Sequence, residues 1–180
     1  MRAIVAAVLF AFAFTAVSQA ASRTVADFVG VYLGHGEADA SSGGQEKEKR
    51  FSQVVIRPAP AEKGFTIEWS TLKLKGDELP STADTKTYTQ TFRATDKPNQ
   101  FRDITSGDLN LNQDTSWAVI TGDTLSIVQV SVAPDGSYYV THYDRSLTAK
   151  GMDVRFTRFE NSRIVRAVRL NLLKGPAKVN

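Results

Sequence analysis

The sequence predicts an all-β protein, an up-and-down antiparallel meander of about eight to ten strands that closes into a small barrel behind an N-terminal signal-peptide helix. Two observations carry this prediction. Short runs rich in Val, Ile, Thr, Tyr, Phe and Trp follow one another along the chain, as is typical of pleated strands. Tight turns separate the later runs, so there is no room for the crossover helices that parallel strands require.

The turns of the second half are the stronger signal. They are Gly122-Asp123, Pro134–Gly136, Ala149–Gly151 and Glu160–Ser162, and their residues accept unusual backbone dihedral angles at low cost. Strands joined in this way pair with their chain neighbours. A pure meander protects its edges most simply by closing into a barrel, and a two-sheet sandwich is the alternative.

The predicted strands are runs bounded by such turn residues. They span Phe28–Ala38, Lys49–Arg57, Gly64–Lys73, Lys86–Ala94, Asn99–Ile104, Thr115–Thr121, Thr124–Ala133, Ser137–Leu147, Met152–Phe159 and Arg163–Leu172. The end of the chain, residues 163–173, has Arg at every third position, so a helix with a basic stripe is the alternative there. Two polar loops, Asp39–Glu48 and Lys75–Asp84, are either lids over the barrel mouth or tolerated insertions.

The start of the chain has the order of an export signal. Arg2 precedes an apolar run, Ala3–Val17, and the small-residue pattern that ends at Ala20 suits cleavage after that residue. The run is shorter than the roughly 20 residues that cross a bilayer. An uncleaved membrane anchor is the alternative to a cleaved signal peptide. We predict a signal peptide at residues 1–20, a single β-barrel domain at residues 21–180, and a periplasmic or secreted protein.

Composition excludes several classes of protein. The chain has no Cys, so it is neither a lipid-modified lipoprotein nor a disulfide-stapled domain. Its formal net charge is +3, with many arginines near the end. We expect these arginines to form a solvated strand face, with no nucleic acid partner. No membrane-spanning segment is expected after signal cleavage. The aromatic girdles of an outer-membrane barrel are also missing from the sequence.

The first strand of the mature chain opens with Gly30-x-Tyr32. This pattern resembles the opening of calycin barrels, which include the lipocalins, the fatty-acid-binding proteins, the avidins and their lipocalin-like relatives. In those families a Gly-x-Trp aromatic ring closes the barrel floor, often against an Arg of the final strand. The resemblance implies that Gly30 and Tyr32 close the barrel and that Arg158, or else Arg155 or Arg166, supplies a cation–π contact.

No catalytic motif is present in the chain. It contains no Gly-x-Ser-x-Gly, no phosphate-cradling glycine loop and no His-Glu-x-x-His. We therefore predict no catalytic residue, no metal site and no cofactor; a protein that is not an enzyme is favoured, and an enzyme stays open as an alternative. The residues predicted to line the barrel interior and contact a ligand are Tyr32, Trp69, Trp117, Tyr138 and His142. An interior filled by side chains is the alternative.

Three functions stay open from the sequence. The predicted one is an exported lipocalin-like protein that binds a small hydrophobic or amphipathic ligand. A structural or interaction protein of the cell envelope without a ligand is the first alternative, and its protein partner is unknown. A haem-binding or isomerase-type enzyme is the second, because the predicted strands bring His35 and His142 near each other in a closed barrel. Asp144 and Arg145 are expected to form structural charge pairs across strands.

Overall fold

A computed structural model of the chain describes residues 23–39, 47–74 and 86–176. The predicted signal peptide and most of the two polar loops lie outside these ranges. Within them, no helix has the length and apolar character needed to cross a membrane.

Ten antiparallel strands form one closed barrel, which confirms the predicted meander. Each strand pairs with its neighbours along the chain, and the first pairs with the last. The strands are β1 Gly30–Ala38, β2 Glu48–Ala59, β3 Gly64–Lys73, β4 Thr87–Ala94, β5 Gln100–Asp103, β6 Thr115–Thr121, β7 Thr124–Val132, β8 Tyr138–Leu147, β9 Gly151–Glu160 and β10 Arg163–Lys174. A short helix, α1 Val25–Phe28, precedes β1, and 3₁₀ turns occur at Pro60–Glu62 and Leu109–Leu111.

The last strand closes the barrel. β10 pairs with β9 on one side and with β1 on the other, from Tyr32 opposite Lys174 to Ala38 opposite Val168. The strand interpretation of residues 163–173 is therefore confirmed, and the helical alternative is wrong. A hairpin turn after β9 leaves this segment next to an unpaired strand edge, and pairing satisfies its backbone hydrogen bonds.

Glycine is required where β1 meets β10. A Cβ atom at Gly34 would lie 2.1 Å from the Asn171 carbonyl oxygen, and one at Gly36 would lie 1.9 Å from the Arg169 carbonyl oxygen. Both distances are far below van der Waals contact. The two strands therefore approach each other closely because these positions have no side chain.

One end of the barrel, which we call the floor, is filled by apolar side chains. Helix α1 covers this end, and Phe28 and Tyr32 are fully buried there. The Tyr32 hydroxyl donates a hydrogen bond of 2.9 Å to the Phe28 carbonyl oxygen. Phe65 stacks on Phe92 with ring centroids 5.0 Å apart. These contacts exclude water from the floor, which provides the core of the domain.

An ion pair holds α1 in place over the floor. Arg23, just before the helix, donates a hydrogen bond of 2.7 Å to Asp123 in the turn between β6 and β7. Asp27 accepts a hydrogen bond of 2.8 Å from the Thr24 backbone N–H and completes a capping box. The N-terminal segment is thus attached to the far side of the barrel end that it covers.

Candidate ligand-binding site

Above the floor the barrel is hollow. A cavity of about 1120 Å³ opens at the opposite end, which we call the mouth, and its lining comes from inward-facing residues of β2–β4 and β7–β10. Pockets that enclose small molecules measure roughly 300–1,000 Å³. The filled-interior alternative therefore describes the floor but not the upper half of the barrel.

A buried arginine lies at the base of this cavity. Arg145, on β8, is 1% exposed, and its guanidinium carbon is 4.8 Å from the ring centroid of Tyr143 and 5.8 Å from that of Trp69. Its Nε and Nη1 atoms are buried and have no hydrogen-bond partner among the described residues. A buried guanidinium whose donors lack acceptors is unfavourable, so an anionic group in the adjoining cavity would stabilise it.

Aromatic rings form the wall around Arg145. Trp69 contacts Tyr143 edge-on at 5.5 Å between centroids and stacks on Tyr88 at 5.5 Å. Tyr143 in turn contacts Phe156, with centroids 4.7 Å apart. These rings come from β3, β4, β8 and β9. They give an apolar surface to the part of a ligand that does not reach Arg145.

The base of the cavity is cationic at neutral pH. Burial lowers the pKa of Arg145 to about 10, against the opposing effects of Tyr143 and Asp144. This pKa still leaves the guanidinium protonated at pH 7. Burial raises the pKa of the Tyr143 hydroxyl, so that neighbour stays neutral. Arg145 therefore presents a positive charge in a poorly solvated site, where a negative partner is strongly favoured.

Positive charge continues towards the mouth. Six basic side chains line the cavity: Arg50, Lys73, Lys86, Arg145, Arg158 and Arg166. Among the described residues, the lining has one acidic side chain, Asp114, and this carboxylate accepts a hydrogen bond of 2.8 Å from Gln129. Glu48 forms ion pairs with Arg50 and Lys73. A cleft with this excess of one sign attracts ligands of the opposite sign.

The residues predicted to contact a ligand lie in three different places. Trp69 lines the cavity, and Tyr32 is buried in the floor. Trp117, Tyr138 and His142 lie on the outer face of the barrel. Trp117 is 39% exposed, the Tyr138 hydroxyl is 2.5 Å from the Ser162 hydroxyl, and His142 Nε2 is 3.1 Å from Asp144 Oδ1. The structure therefore brings one predicted residue, Trp69, to the cavity wall.

The cavity-lining residues of β8 are Tyr139, Thr141, Tyr143 and Arg145, and the sequence analysis missed them. The hairpin with β9 contains the signal that would have found them. Met152, Val154 and Phe156 alternate with polar residues, so the inward face of β9 is clear from its sequence. Residues directly opposite each other in a hairpin share a face. Because Arg145 is opposite Val154, Arg145 also faces inward.

The residues predicted to close the barrel, Gly30, Tyr32 and Arg158, also lie in different places. Lys174, at the end of β10, places its Nζ 5.6 Å from the Tyr32 ring centroid. A Cβ atom at Gly30 would lie 2.7 Å from the Lys174 side chain, so the glycine leaves room for this cation. Arg158 lies in the cavity lining, with its guanidinium carbon 4.4 Å from the Tyr139 ring centroid. The final strand thus supplies the cation at the floor, and it is a lysine.

The two histidines do not meet. His35 is on β1 and His142 is on β8, and β9 and β10 lie between these strands in the closed sheet. His35 alternates with Gly34 and Gly36, which face the interior, and it lines a groove on the outer surface. Within the described ranges, no three His, Cys, Asp or Glu side chains are grouped as metal ligands.

No protein-family model matches this chain, and no curated protein sequence is significantly similar to it. The closed ten-strand antiparallel barrel is consistent with a lipocalin-like fold. What the structure itself shows is a closed barrel with a cationic cavity.

Proposed function

We propose that this protein is an exported, lipocalin-like binding protein that holds a small amphipathic molecule in its cavity, with an anionic group of that molecule on Arg145. One observation carries the proposal: a buried guanidinium, two of whose nitrogens have no partner in the part of the chain that the structure describes, lies at the base of a cavity of about 1120 Å³. A carboxylate has two acceptor oxygens that match the donors of a guanidinium. Such a ligand would neutralise the buried charge and give the guanidinium a charge-assisted acceptor.

The remaining cavity wall supports an amphipathic ligand. Trp69, Tyr88 and Phe156 offer apolar contact, and Ser52 and Thr71, on β2 and β3 beside Trp69, offer hydroxyl groups in the same space. The Ser52 hydroxyl already donates a hydrogen bond of 2.7 Å to the Ser70 carbonyl oxygen. A molecule with an apolar body and one anionic end would match both kinds of surface.

Two sequence features support the rest of the proposal. The order of residues 1–20 is that of an export signal. The Gly30-x-Tyr32 opening and the closed meander together support a calycin-type barrel. The haem-enzyme alternative loses its basis, since both histidines face outward and lie on strands that are not neighbours.

Fluorescence of Trp69 tests the proposal. The chain has two tryptophans, so the Trp117→Phe variant leaves Trp69 in the cavity as the sole reporter. In this background we expect dodecanoate to change the fluorescence saturably and to bind more tightly than dodecanol, which has the same chain length and no charge. The added variant Arg145→Met should remove that preference, because it removes the positive charge.

The control variant is Arg155→Met, which removes an arginine from the exposed outer face of β9. It should keep the preference for dodecanoate. The proposal is wrong if dodecanoate does not bind, or if Arg145→Met binds dodecanoate as tightly as the Trp117→Phe background does.

A further inference from the structure

A second arginine lies over a second tyrosine nearer the mouth. The guanidinium carbon of Arg158 is 4.4 Å from the Tyr139 ring centroid, and that of Arg145 is 4.8 Å from the Tyr143 ring centroid. Tyr139 and Tyr143 face the same cavity from β8. Their separation of four positions corresponds to about 13 Å along a strand. The cavity therefore has stacked guanidinium groups at two depths.

Arg166 adds a second positive charge beside Arg158, near the mouth. It lies on β10 directly opposite Arg158 on β9, and both side chains line the cavity. Like charges directly opposite each other destabilise a sheet. In the part of the chain that the structure describes, no acidic side chain forms an ion pair with either arginine.

The nearby acidic groups already have other partners. Glu160, two positions after Arg158, accepts a hydrogen bond of 3.1 Å from the Tyr139 hydroxyl. Glu48 forms its ion pairs with Arg50 on its own strand and with Lys73 on the adjacent strand β3. The Arg158–Arg166 pair thus differs from Arg50 and Lys73, because among the described residues no carboxylate forms an ion pair with it.

We propose that Arg158 and Arg166 form a second anion subsite, so that the ligand is an extended molecule with an anionic group at each end. Its class is an α,ω-dianion, for example a dicarboxylate whose carboxylates lie roughly 13 Å apart. One carboxylate would accept hydrogen bonds from Arg145 and the other from the arginine pair, with the apolar chain along the aromatic wall between them. This inference rests on the proposed function, since Arg145 must hold the first anion.

The test compares dodecanedioate with dodecanoate in the Trp117→Phe background, where Trp69 reports binding. The two probes have the same chain length and differ in the second carboxylate. We expect dodecanedioate to bind at least about tenfold more tightly, because charge-assisted hydrogen bonds of the second carboxylate contribute at least that factor. The double variant Arg158→Gln/Arg166→Gln should remove this advantage, so that the two probes bind about equally.

A matched control exists on the outer face of the same two strands. Arg155 and Arg169 are also directly opposite each other, and both are exposed. Arg155→Gln/Arg169→Gln therefore changes the net charge equally, and it should keep the advantage of dodecanedioate. This control separates a local subsite from a general effect of net charge.

Four outcomes would overturn the second subsite. If dodecanedioate and dodecanoate bind equally, or if the Arg158→Gln/Arg166→Gln variant keeps the advantage, the subsite is absent while the Arg145 site stands. If both double variants lose the advantage equally, the effect is one of net charge. If neither probe binds, the second subsite and the proposed function fail together.

Discussion

The floor and the mouth of this barrel are built from the same strands, yet their interiors have different chemistry. Along β3, Phe65 and Ile67 are fully buried in the floor, whereas Thr71 lines the open cavity. Along β9, Met152 is fully buried, and Arg158 lies near the mouth. The inward face of a single strand therefore changes from packed core to cavity wall within a few residues. The comparison indicates that stability comes mainly from the floor, which leaves the upper half available for a ligand.

The largest expected effect comes from removing a ring at the floor. Phe65→Ala should lower the free energy of unfolding by about 3–5 kcal/mol, because it leaves a void among closely packed side chains. Phe156→Ala, in the cavity wall, should cost clearly less, since its ring lies beside space that is already open. Urea unfolding measures both values, and equal losses would contradict the division into a packed floor and a hollow upper half.

The second-largest expected effect is a gain in stability. Arg145→Met should raise the free energy of unfolding by about 1–4 kcal/mol, because it replaces an uncompensated buried charge with an apolar side chain of similar length. The same variant should lose its preference for an anionic ligand. Arg155→Met on the outer face should change stability little. A less stable Arg145→Met variant would mean that the guanidinium is already satisfied within the protein.

A smaller loss is expected at the boundary of the floor. Tyr32→Phe removes the hydroxyl that donates to the Phe28 carbonyl oxygen at 2.9 Å. The free energy of unfolding should fall by about 0.5–1.5 kcal/mol, with no change in dodecanoate affinity. Thermal unfolding and the Trp69 titration check the two parts. A loss of ligand affinity would show that the floor and the cavity are not separate.

The smallest expected effect is a pH dependence of the stability difference between Arg145→Met and the wild type. Burial lowers the pKa of Arg145 from its ordinary value to about 10, so the folded state releases this proton at a lower pH than the unfolded state does. The cost of burying the charge is therefore fully present below pH 10 and is relieved as the pH rises above it. The stability difference between Arg145→Met and the wild type should be constant from pH 6 to 9. It should narrow by about 0.5–1 kcal/mol at pH 10.5, and a constant difference throughout would contradict this.

The sequence was sufficient to predict the fold because its turns are short. Strands joined by Gly122-Asp123 or Glu160–Ser162 have no neighbour available except the preceding strand. Register then follows from the turns, and β6–β10 begin and end within a few residues of their predicted bounds. β10 runs to Lys174, two residues beyond its predicted end at Leu172, and these residues include the cation that packs on Tyr32.

The site was harder to predict, for two physical reasons. In β8 both faces carry large rings, as in Tyr138-Tyr139 and His142-Tyr143, so alternation within the strand does not distinguish inside from outside. The size of the cavity depends on how side chains from many strands meet across the barrel, which no single strand determines. Arg145 was assigned to a structural charge pair with a neighbouring strand, whereas its guanidinium lies over Tyr143 and Trp69.

The central claim is that an anionic group of the ligand lies on Arg145. Titration of dodecanoate carrying a ¹³C label in its carboxyl group, followed by NMR on the complex, tests it most directly. A carboxylate next to a guanidinium should have a pKa about 1–3 pH units below that of the free acid, and Arg145→Met should abolish this difference. A bound carboxyl whose pKa equals or exceeds that of the free acid would contradict the account.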